Sequence, residues 1–405
     1  MRFSVLLPTR DRLDLLIYAM ETVRRQDYND WEIVVSDNAS EQDIAGYIRS
    51  LNEPRIKYVR TQAFVPVTDN WNNALKNSSG EYIVMLGDDD CLLKGFFRTM
   101  HSLIEDFQHP DSIYTNALLY AYPGVMQGYP KGFLQPYGYA PFFRNASKPF
   151  LLNRTKAHEL ALDAMNFKMS YTFNMQHSVV KRTFIDRLSK NGPFFQSPYP
   201  DFYATNVILL KAETLVVNPT PMVAVGISPK SFGYYYFNNQ EKKGVDFLNN
   251  LPDAETTRRM EHVILPGLTD KTAWLISMET IKLNYGSDLL LTVDYNRYRY
   301  LQILYVYGRF ARALENKDPK IAQYRVEFDE LASKLTLWEK MVYLTMLRIA
   351  ALGTRLVPRG LRYKLIGTIL VKINKTPQLD PQQNDRSYKN ILEVFEQIDP
   401  TRYCH

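Results

Sequence analysis

The chain has 405 residues, of which 45% are hydrophobic, and carries a modest formal net charge of +6. This length is enough for two or three domains with sizeable cores. Its two cysteines, Cys91 and Cys404, lie far apart, which argues against a disulfide framework and against a cysteine-based zinc site. The N-terminus has no basic segment followed by a long apolar stretch and a cleavage site, so we expect no signal peptide and a cytoplasmic protein.

The first 120 residues alternate between strand-like and helix-like patterns. Short apolar runs or strict alternation predict strands, at residues 3–7, 31–35, 55–59, 82–86 and 112–117. Apolar residues at the i, i+3, i+4, i+7 spacing predict helices between them, at residues 13–23, 41–51, 69–76 and 96–107. These spacings fit βαβ crossovers and predict an α/β domain with a mainly parallel sheet.

Polar side chains follow three of the predicted strands, in residues 8–12 (Pro-Thr-Arg-Asp-Arg), 36–38 (Ser-Asp-Asn) and 87–90 (Gly-Asp-Asp-Asp). Ligands of such sheets bind outside the carboxyl ends of the strands, so we expect the three segments to converge on one crevice. Adjacent carboxylates there suit a Mg²⁺ or Mn²⁺ ion that also binds substrate phosphates. A solvated acidic turn is the alternative, and Asp37 alone could be an ordinary turn or cap residue.

Residues 1–235 resemble the nucleotide-diphospho-sugar transferases with the GT-A fold, specifically family 2 of the inverting glycosyltransferases. Residues 5–12 are similar to the opening strand of that family and its Pro-Thr-X-Asn-Arg turn. Residues 34–40 resemble its Val-Asp-Asp-Gly-Ser stretch, and residues 79–83 resemble its Gly-Glu-Tyr strand entry. Residues 87–90 then fall on its DXD position. The resemblance implies a GT-A-like, Rossmann-type sheet flanked by helices.

The resemblance also implies which residues bind the donor in the nucleotide-binding half, residues 1–120. The implied nucleotide contacts come from strand ends and one helix: Pro8, Thr9, Arg10, Asp11, Asp37, Asn72, Asp88 and Asp89. A divalent cation, Mn²⁺ or Mg²⁺, is implied on Asp90 as the direct ligand and on Asp88, although three consecutive Asp residues allow more than one register. Trp71 stands where many relatives carry Arg, so the donor stays open.

The acceptor half, residues 121–235, is expected to supply the base that removes the proton of the attacking hydroxyl group. By resemblance this base is Asp201, although Pro200 replaces the usual Glu and an Asp here could simply cap a helix. The stretch 226–233 resembles the family's loop over the diphosphate, with Ser228 and Lys230 as contacts. It lacks the His that relatives often carry, and a plain surface loop is the alternative.

Two further segments have no motif. Residues 120–150 are rich in aromatic side chains, which could stack on acceptor sugars or pack an irregular loop onto the body. Residues 250–405 read as a mostly helical C-terminal region, in which residues 335–375 carry eight basic side chains against one acid, a net charge of +7. That segment could lie on an anionic membrane surface or form a helical subdomain with a solvated basic face. We expect no nucleic-acid binding, since no known module accompanies the charge.

These features predict a metal-dependent inverting glycosyltransferase. It would move a sugar from a nucleotide-diphospho-sugar donor to a hydroxyl group of a glycan or polyprenyl-linked glycan, as in the synthesis of bacterial-type surface polysaccharides. Such an enzyme would work in the cytoplasm, and a peripheral position on the inner face of the cell membrane stays open. Two alternatives stay open: an inactive transferase-like scaffold that binds membrane or protein partners, and a sugar nucleotidyltransferase, which usually needs a glycine- and lysine-rich loop after its first strand.

Overall fold

The computed structural model describes residues 3–126, 128–138, 140–143, 146–237, 240–250, 254–267, 269–342, 345 and 387–403. The chain divides into two compact units. The first unit comprises Met1–Leu162, Ser170–Leu251 and Pro377–His405, and the second comprises Asp163–Met169 and Pro252–Thr376. We expected residues 250–405 to form one C-terminal region, but the last segment of the chain instead belongs to the first unit.

The first half of the first unit is the predicted parallel α/β arrangement. Its four strands are parallel neighbours in the order β3-β2-β1-β4: β1 (Phe3–Thr9), β2 (Trp31–Asp37), β3 (Ile56–Arg60) and β4 (Tyr82–Met85). The helices between and after them are α1 (Leu13–Arg24), α2 (Ile44–Ser50), α3 (Val67–Lys76) and α4 (Phe96–Asp106). Every residue of β1, β2 and β4 is buried, which explains their continuous apolar character.

The second half makes the sheet mixed. The remaining strands are β5 (Cys91–Leu92), β6 (Ser112–Ala121), β7 (Phe133–Pro136), β8 (Phe150–Leu151), β9 (Ser178–Lys181) and β10 (Leu215–Ile227). The order continues from β4 through β9, β6 and β10 to β5, with β7 beside β6 and β8 beside β10. Among these described strands, β6 and β10 pair in parallel with each other. Strand β9 lies between β4 and β6 and runs opposite to both. The sheet is therefore parallel from β1 to β4, whereas the strand predicted at residues 112–117, which is β6, is separated from β4 by the antiparallel β9.

Helices of this half surround the sheet: α5 (Arg154–Met165), α6 (Arg182–Leu188), α7 (Pro200–Lys211), α8 (Phe232–Phe237) and α9 (Glu241–Leu248). Short 3₁₀ turns lie at Pro141–Phe143, Met175–His177 and Ser189–Asn191. The turn Met175–His177 directly precedes β9, which runs opposite to β4, so the turn lies near the carboxyl end of β4, with Val179 opposite Val84. This position brings it to the edge of the sheet at which the polar strand ends were predicted to meet.

The second unit is helical, as predicted for the C-terminal region. Its described helices are α10 (Ala254–Met260), α11 (Asp270–Leu289), α12 (Tyr295–Asn316) and α13 (Ile321–Ser333). Side chains of Thr269 and Asp294 cap the starts of α11 and α12. Within the described ranges no helix has the length and apolarity needed to cross a bilayer. Most of the predicted membrane-surface segment, residues 343–344 and 346–375, lies outside the described residues.

The C-terminal segment, residues 387–403, packs into the first unit and contains α14 (Ile391–Gln397). Its apolar side chains belong to the same core as the sheet and α1. Tyr120 Oη donates to the carbonyl oxygen of Tyr388 at 2.8 Å. Glu396 pairs at 2.7 Å with Arg25, which directly follows α1, and its carbonyl oxygen accepts from Lys94 Nζ at 2.6 Å. Residues near the end of the chain thus complete a core that begins with β1.

Candidate active site

The first and third polar strand ends meet. Since β1 and β4 are parallel neighbours, their carboxyl ends lie at one edge of the sheet. Thr9 Oγ1 donates to Asp88 Oδ2 at 2.7 Å, and Arg12 Nη2 lies 2.6 Å from Asp88 Oδ1. Pro8 lies inside β1 beside Ser36 and is buried. The predicted convergence of these two segments is therefore present.

A second link joins the acidic turn to the predicted diphosphate loop. Asp89 Oδ2 accepts a hydrogen bond from Ser228 Oγ at 2.6 Å and lies 3.9 Å from Arg12 Nη1. The carbonyl oxygen of Lys230 accepts from Arg12 Nη1 at 3.4 Å, and Lys230 Nζ donates to the carbonyl oxygen of Asp11 at 3.0 Å. The predicted loop thus lies beside the turn that follows β1, with Arg12 between it and the carboxylates.

Asp90, which we predicted to be the direct metal ligand, uses both carboxylate oxygens on protein donors. Oδ1 accepts from the backbone N–H of Gly226 at 2.7 Å. Oδ2 accepts from the backbone N–H of Gly87 and from Gln176 Nε2, each at 2.8 Å. A Cβ on Gly226 would lie 2.0 Å from the carbonyl oxygen of Asp89, so only glycine fits there. Asp90 therefore ties the acidic turn to β10 and to the turn Met175–His177.

Burial dominates the electrostatics of the acidic turn, in which Asp88, Asp89 and Asp90 are 0%, 6% and 2% exposed. Burial raises the pKa of Asp88 to about 6, although the charge of Arg12 opposes the shift. Burial, together with the charge of Asp89, raises the pKa of Asp90 to about 8. Burial acts to lower the pKa of Arg12, but the three carboxylates outweigh it and raise that pKa. The single guanidinium of Arg12 faces two carboxylates besides Asp90, so an excess of negative charge remains even while Asp90 is protonated.

The donor set suits a hard divalent cation. It contains only oxygen ligands, which Mg²⁺ and Mn²⁺ prefer, and the excess negative charge favours a cation. Among the described residues no three His, Cys, Asp or Glu side chains converge as a complete metal cage. That is compatible with Mg²⁺, which usually takes one or two carboxylates and completes its shell with water and phosphate. Asp89 Oδ1, which accepts no hydrogen bond within the described part of the chain, is the carboxylate oxygen most available for this role.

The second polar strand end reaches the same edge but makes its own contacts. Thr9 and Asp37 are register partners, and Asp37 is fully buried. Asp37 Oδ2 accepts from Tyr58 Oη at 2.6 Å and from Arg60 Nη1 at 2.9 Å. Its Oδ1 accepts from the backbone N–H of Ser40 at 2.9 Å. The carboxylate is therefore held rigidly, and its contact with a nucleotide base stays a prediction.

The other predicted nucleotide contacts mainly hold loops in place. Asn72 bonds the backbone of Phe195 with both ends of its amide, at 2.8 and 3.2 Å. Asp11 has a left-handed backbone, with φ of 51°, and its Oδ1 accepts from the N–H of Glu41 at 2.6 Å. Arg10 Nη1 donates to the carbonyl oxygen of Phe247 at 3.3 Å, which brings α9 next to the turn after β1.

Asp201 lies in the first turn of α7, one residue inside the helix, and Tyr199 is the N-cap. The alternative that Asp201 is the N-cap is therefore wrong. Its Oδ1 accepts from the backbone N–H of Met175 at 2.7 Å. Burial raises the pKa of Asp201 to about 7, and the hydrogen bond from Met175 opposes the shift only in part. A half-buried carboxyl group with a pKa near neutrality suits a general base.

The turn Met175–His177 joins the two parts of the site. Met175 holds Asp201, and the next residue, Gln176, holds Asp90. The sequence analysis missed Gln176, because the stretch before β9 has neither a recognisable period nor a motif. It also did not single out Arg12, although Arg12 ends the quoted Pro-Thr-Arg-Asp-Arg segment and that position was the available signal.

Most aromatic side chains of the stretch 120–150 pack the body rather than face solvent. Tyr122, Phe133 and Phe143 are buried, whereas several others are half-buried, and Tyr139 lies outside the described residues. His177 stacks on Tyr114 with ring centres 5.1 Å apart. Burial lowers the pKa of His177 to about 4, so the ring is neutral and its Nδ1 donates to the carbonyl oxygen of Thr115 at 2.8 Å. His177 is therefore structural.

The first part of the chain is similar to known glycosyltransferases. Residues 4–150 match the model of a family described as Glycosyl transferase family 2. A Campylobacter jejuni protein named GalNAc(5)-diNAcBac-PP-undecaprenol beta-1,3-glucosyltransferase is 36% identical over 122 residues, 29% of this chain and 38% of that protein. WcaA of Escherichia coli (strain K12), whose name assigns it to colanic acid biosynthesis, is 34% identical over 127 residues, 31% of this chain and 43% of WcaA.

The chain therefore spans less than half the length of each of these relatives. Among solved structures, S. aureus TarS 1–349 in complex with UDP-GlcNAc covers 83% of this chain. The match takes in 93% of that TarS chain, with 16% identity and a TM-score of 0.45.

Proposed function

Because residues 4–150 belong to glycosyl transferase family 2, we propose that this chain is an inverting glycosyltransferase that uses a nucleotide-diphospho-sugar donor. The observation that carries the proposal is the junction made by the turn Met175–His177. Met175 of this turn holds the half-buried carboxyl group of Asp201, and the next residue, Gln176, holds Asp90 of the acidic turn. A base and a charged donor-binding turn are the two parts that a displacement at an anomeric carbon needs.

Donor binding is assigned to the edge formed by β1, β2 and β4. Thr9, Arg12 and Asp88 form one buried, charged network there, next to Ser228 and Lys230. Arg12 and Lys230 are cations that can offset phosphate charge, which is the main electrostatic demand as the nucleoside diphosphate departs. Asp37, already fixed by its neighbours, is proposed to contact the base, and Pro8, Arg10, Asp11 and Asn72 to shape the pocket.

A divalent cation, Mn²⁺ or Mg²⁺, would be held by Asp89 and Asp88 and would supply additional charge stabilisation for the leaving diphosphate. Asp90 is less suited to direct ligation, because its oxygens already accept three hydrogen bonds. We propose that it instead keeps the other two carboxylates in place. Ser228, which donates to Asp89, would orient that carboxylate.

Asp201 is proposed to take the proton from the acceptor hydroxyl group as the new glycosidic bond forms and the bond to the diphosphate breaks. The N–H of Met175 fixes one of its oxygens and leaves the other for the substrate. Its pKa, near 7, lets it be ionised at neutral pH and still accept a proton in the transition state.

The acceptor is proposed to be a glycan or a polyprenyl-linked glycan, in the synthesis of a bacterial-type surface polysaccharide. The name of the C. jejuni relative, which specifies an undecaprenol-linked acceptor, supports this choice. A lipid-linked acceptor would bring the enzyme to the cytoplasmic face of the membrane. No observation in the described part of the structure specifically favours the scaffold alternative or the nucleotidyltransferase alternative.

The test is a thermal-shift screen with UDP, dTDP, GDP and CMP and their sugars, each with and without Mn²⁺. A ligand that binds only the native state at 100 times its Kd stabilises it by about 2.7 kcal/mol. We expect one nucleotide class to raise the melting temperature, and Mn²⁺ to increase that shift. Asp89→Asn should remove the Mn²⁺-dependent part. Absence of a shift with every nucleotide would contradict the proposal.

A further inference from the structure

One buried amide at the candidate site has a satisfied nitrogen and an unsatisfied oxygen. Gln176 is 8% exposed, and its Nε2 donates to Asp90 Oδ2 at 2.8 Å. Its Oε1 is also buried, but it accepts no hydrogen bond from any group in the described ranges. Buried polar atoms nearly always have a partner, so this oxygen requires an explanation.

The orientation of this amide follows from its neighbour. Asp90 Oδ2 also accepts from the backbone N–H of Gly87, so it acts as an acceptor in this cluster. With Asp90 ionised, the amide nitrogen is the atom that faces Oδ2, which leaves Oε1 directed elsewhere. Gln26 shows the contrast within the same unit: its nitrogen bonds the carbonyl oxygens of Leu92 and Leu93, and its oxygen accepts from the N–H of Phe96.

The chemistry of Oε1 restricts what can bind to it. An amide oxygen only accepts hydrogen bonds, so the partner must donate one. Phosphate and carboxylate groups are excluded as ionised acceptors. A hydroxyl group of a saccharide or a water molecule meets the requirement.

The position of Gln176 favours the saccharide. Its side chain is tied to Asp90 in the acidic turn, and the preceding residue, Met175, holds Asp201. In an inverting transfer the donor's sugar lies between the diphosphate and the base, because the attacking hydroxyl group approaches opposite to the leaving group. On the proposed function, Gln176 would therefore lie beside the ring that is being transferred.

We propose that Gln176 is a substrate-contacting residue whose Oε1 accepts a hydrogen bond from a hydroxyl group of the donor's sugar. This inference rests on the proposed function and adds to it a residue that contacts the sugar of the donor rather than the nucleotide. The same amide, through Nε2, keeps Asp90 in place.

Two variants separate these roles. Gln176→Lys retains a donor for Asp90 but has no acceptor, and Gln176→Met removes both groups at similar length. The measurement is the Kd of the full chain, by isothermal titration calorimetry in Mn²⁺, for the nucleoside diphosphate selected by the screen and for its nucleotide sugar. We expect both variants to lose about tenfold in affinity for the nucleotide sugar relative to the nucleoside diphosphate, which corresponds to about 1.4 kcal/mol.

The control is Gln26→Met, which removes a fully bonded buried amide. It should lower the melting temperature without changing the ratio of the two Kd values. Unchanged Kd values for both ligands in both Gln176 variants would mean that water occupies Oε1, and an equal loss of affinity for both ligands would mean that Gln176 acts only through Asp90. Either result overturns the inference. If the wild-type chain binds no nucleotide, the proposed function itself fails, and that is decided before any variant is measured.

Discussion

Asp201→Asn should inactivate the protein and also stabilise it, in a manner that depends on pH. The asparagine Oδ1 can still accept the hydrogen bond from Met175, which the carboxylate accepts at 2.7 Å. The substitution therefore removes the charge and leaves this contact. A base that must ionise in a partly dehydrated site carries a stability cost that the amide avoids.

The magnitude follows from the pKa of Asp201, which burial raises from 3.8 to about 7. The folded state binds the proton more tightly than the unfolded state, so the free energy of unfolding falls as pH rises from about 4 to about 7 and is level above that. A difference of one between the folded and unfolded pKa values corresponds to about 1.36 kcal/mol, so the gain in unfolding free energy has a ceiling of about 4 kcal/mol. Since the side chain keeps some solvent contact, roughly 2 kcal/mol is a realistic gain at pH 8.5.

The assay compares apparent melting temperatures of the wild type and the variant at pH 4 and pH 8.5. A gain of about 2 kcal/mol corresponds to roughly 4 °C for a unit of this size, and we expect it at pH 8.5 and little at pH 4. Asp14→Asn, an equal change of charge on an exposed side chain, is the control and should show no such pH-dependent gain. An equal gain at both pH values, or none at pH 8.5, would refute the reasoning. Near-normal sugar transfer by Asp201→Asn would remove Asp201 as the base.

Other contacts of the first unit make three more predictions. Gly226→Ala should abolish nucleotide binding or folding, because its Cβ would lie 2.0 Å from the carbonyl oxygen of Asp89. Gly233→Ala is the control and should be tolerated, because its Cβ would have its nearest contact at 3.6 Å. Thermal shifts of the two variants with nucleotide check this prediction. Asp90→Leu at pH 4, where the raised pKa keeps Asp90 uncharged, should lower the free energy of unfolding by about 1–3 kcal/mol, because the N–H groups of Gly87 and Gly226 and the amide of Gln176 lose their acceptor, and urea denaturation measures it. Deletion of residues 387–405 should lower the melting temperature markedly, because each apolar side chain of α14 that loses its burial costs roughly 1.5–3 kcal/mol; an unchanged melting temperature would contradict this assignment.

The parallel half of the fold and two of its polar strand ends could be predicted from local patterns. Continuous apolar runs indicate strands that are covered on both faces, and the amphipathic segments between them indicate crossover helices. These patterns are local because β1 to β4 pair in parallel and are connected through helices, so each element carries its own period. The contact of Thr9 with Asp88 follows directly from that arrangement.

The second half could not be predicted in the same way. Strand β9 runs opposite to both of its neighbours, and no local pattern in residues 178–181 states which strands it will separate. The return of residues 387–403 to the first unit is likewise a contact across most of the chain, and no local pattern in these residues indicates which part of the fold they join. Pairing over such distances depends on the shape and burial of the whole core.

Within the site, the sequence by itself determined which chemical groups are available: three adjacent carboxylates, the basic side chains after β1, and an acid at the start of α7. Only the tertiary structure decided which contacts each of these groups makes. It bonds Asp90 to three protein donors, leaves an oxygen of Asp89 available, and brings Gln176 between the acidic turn and Asp201. The reason is that a side chain's type is a local property, whereas its hydrogen-bond partners and its burial, and hence its pKa, are set by residues that the fold brings from far along the chain.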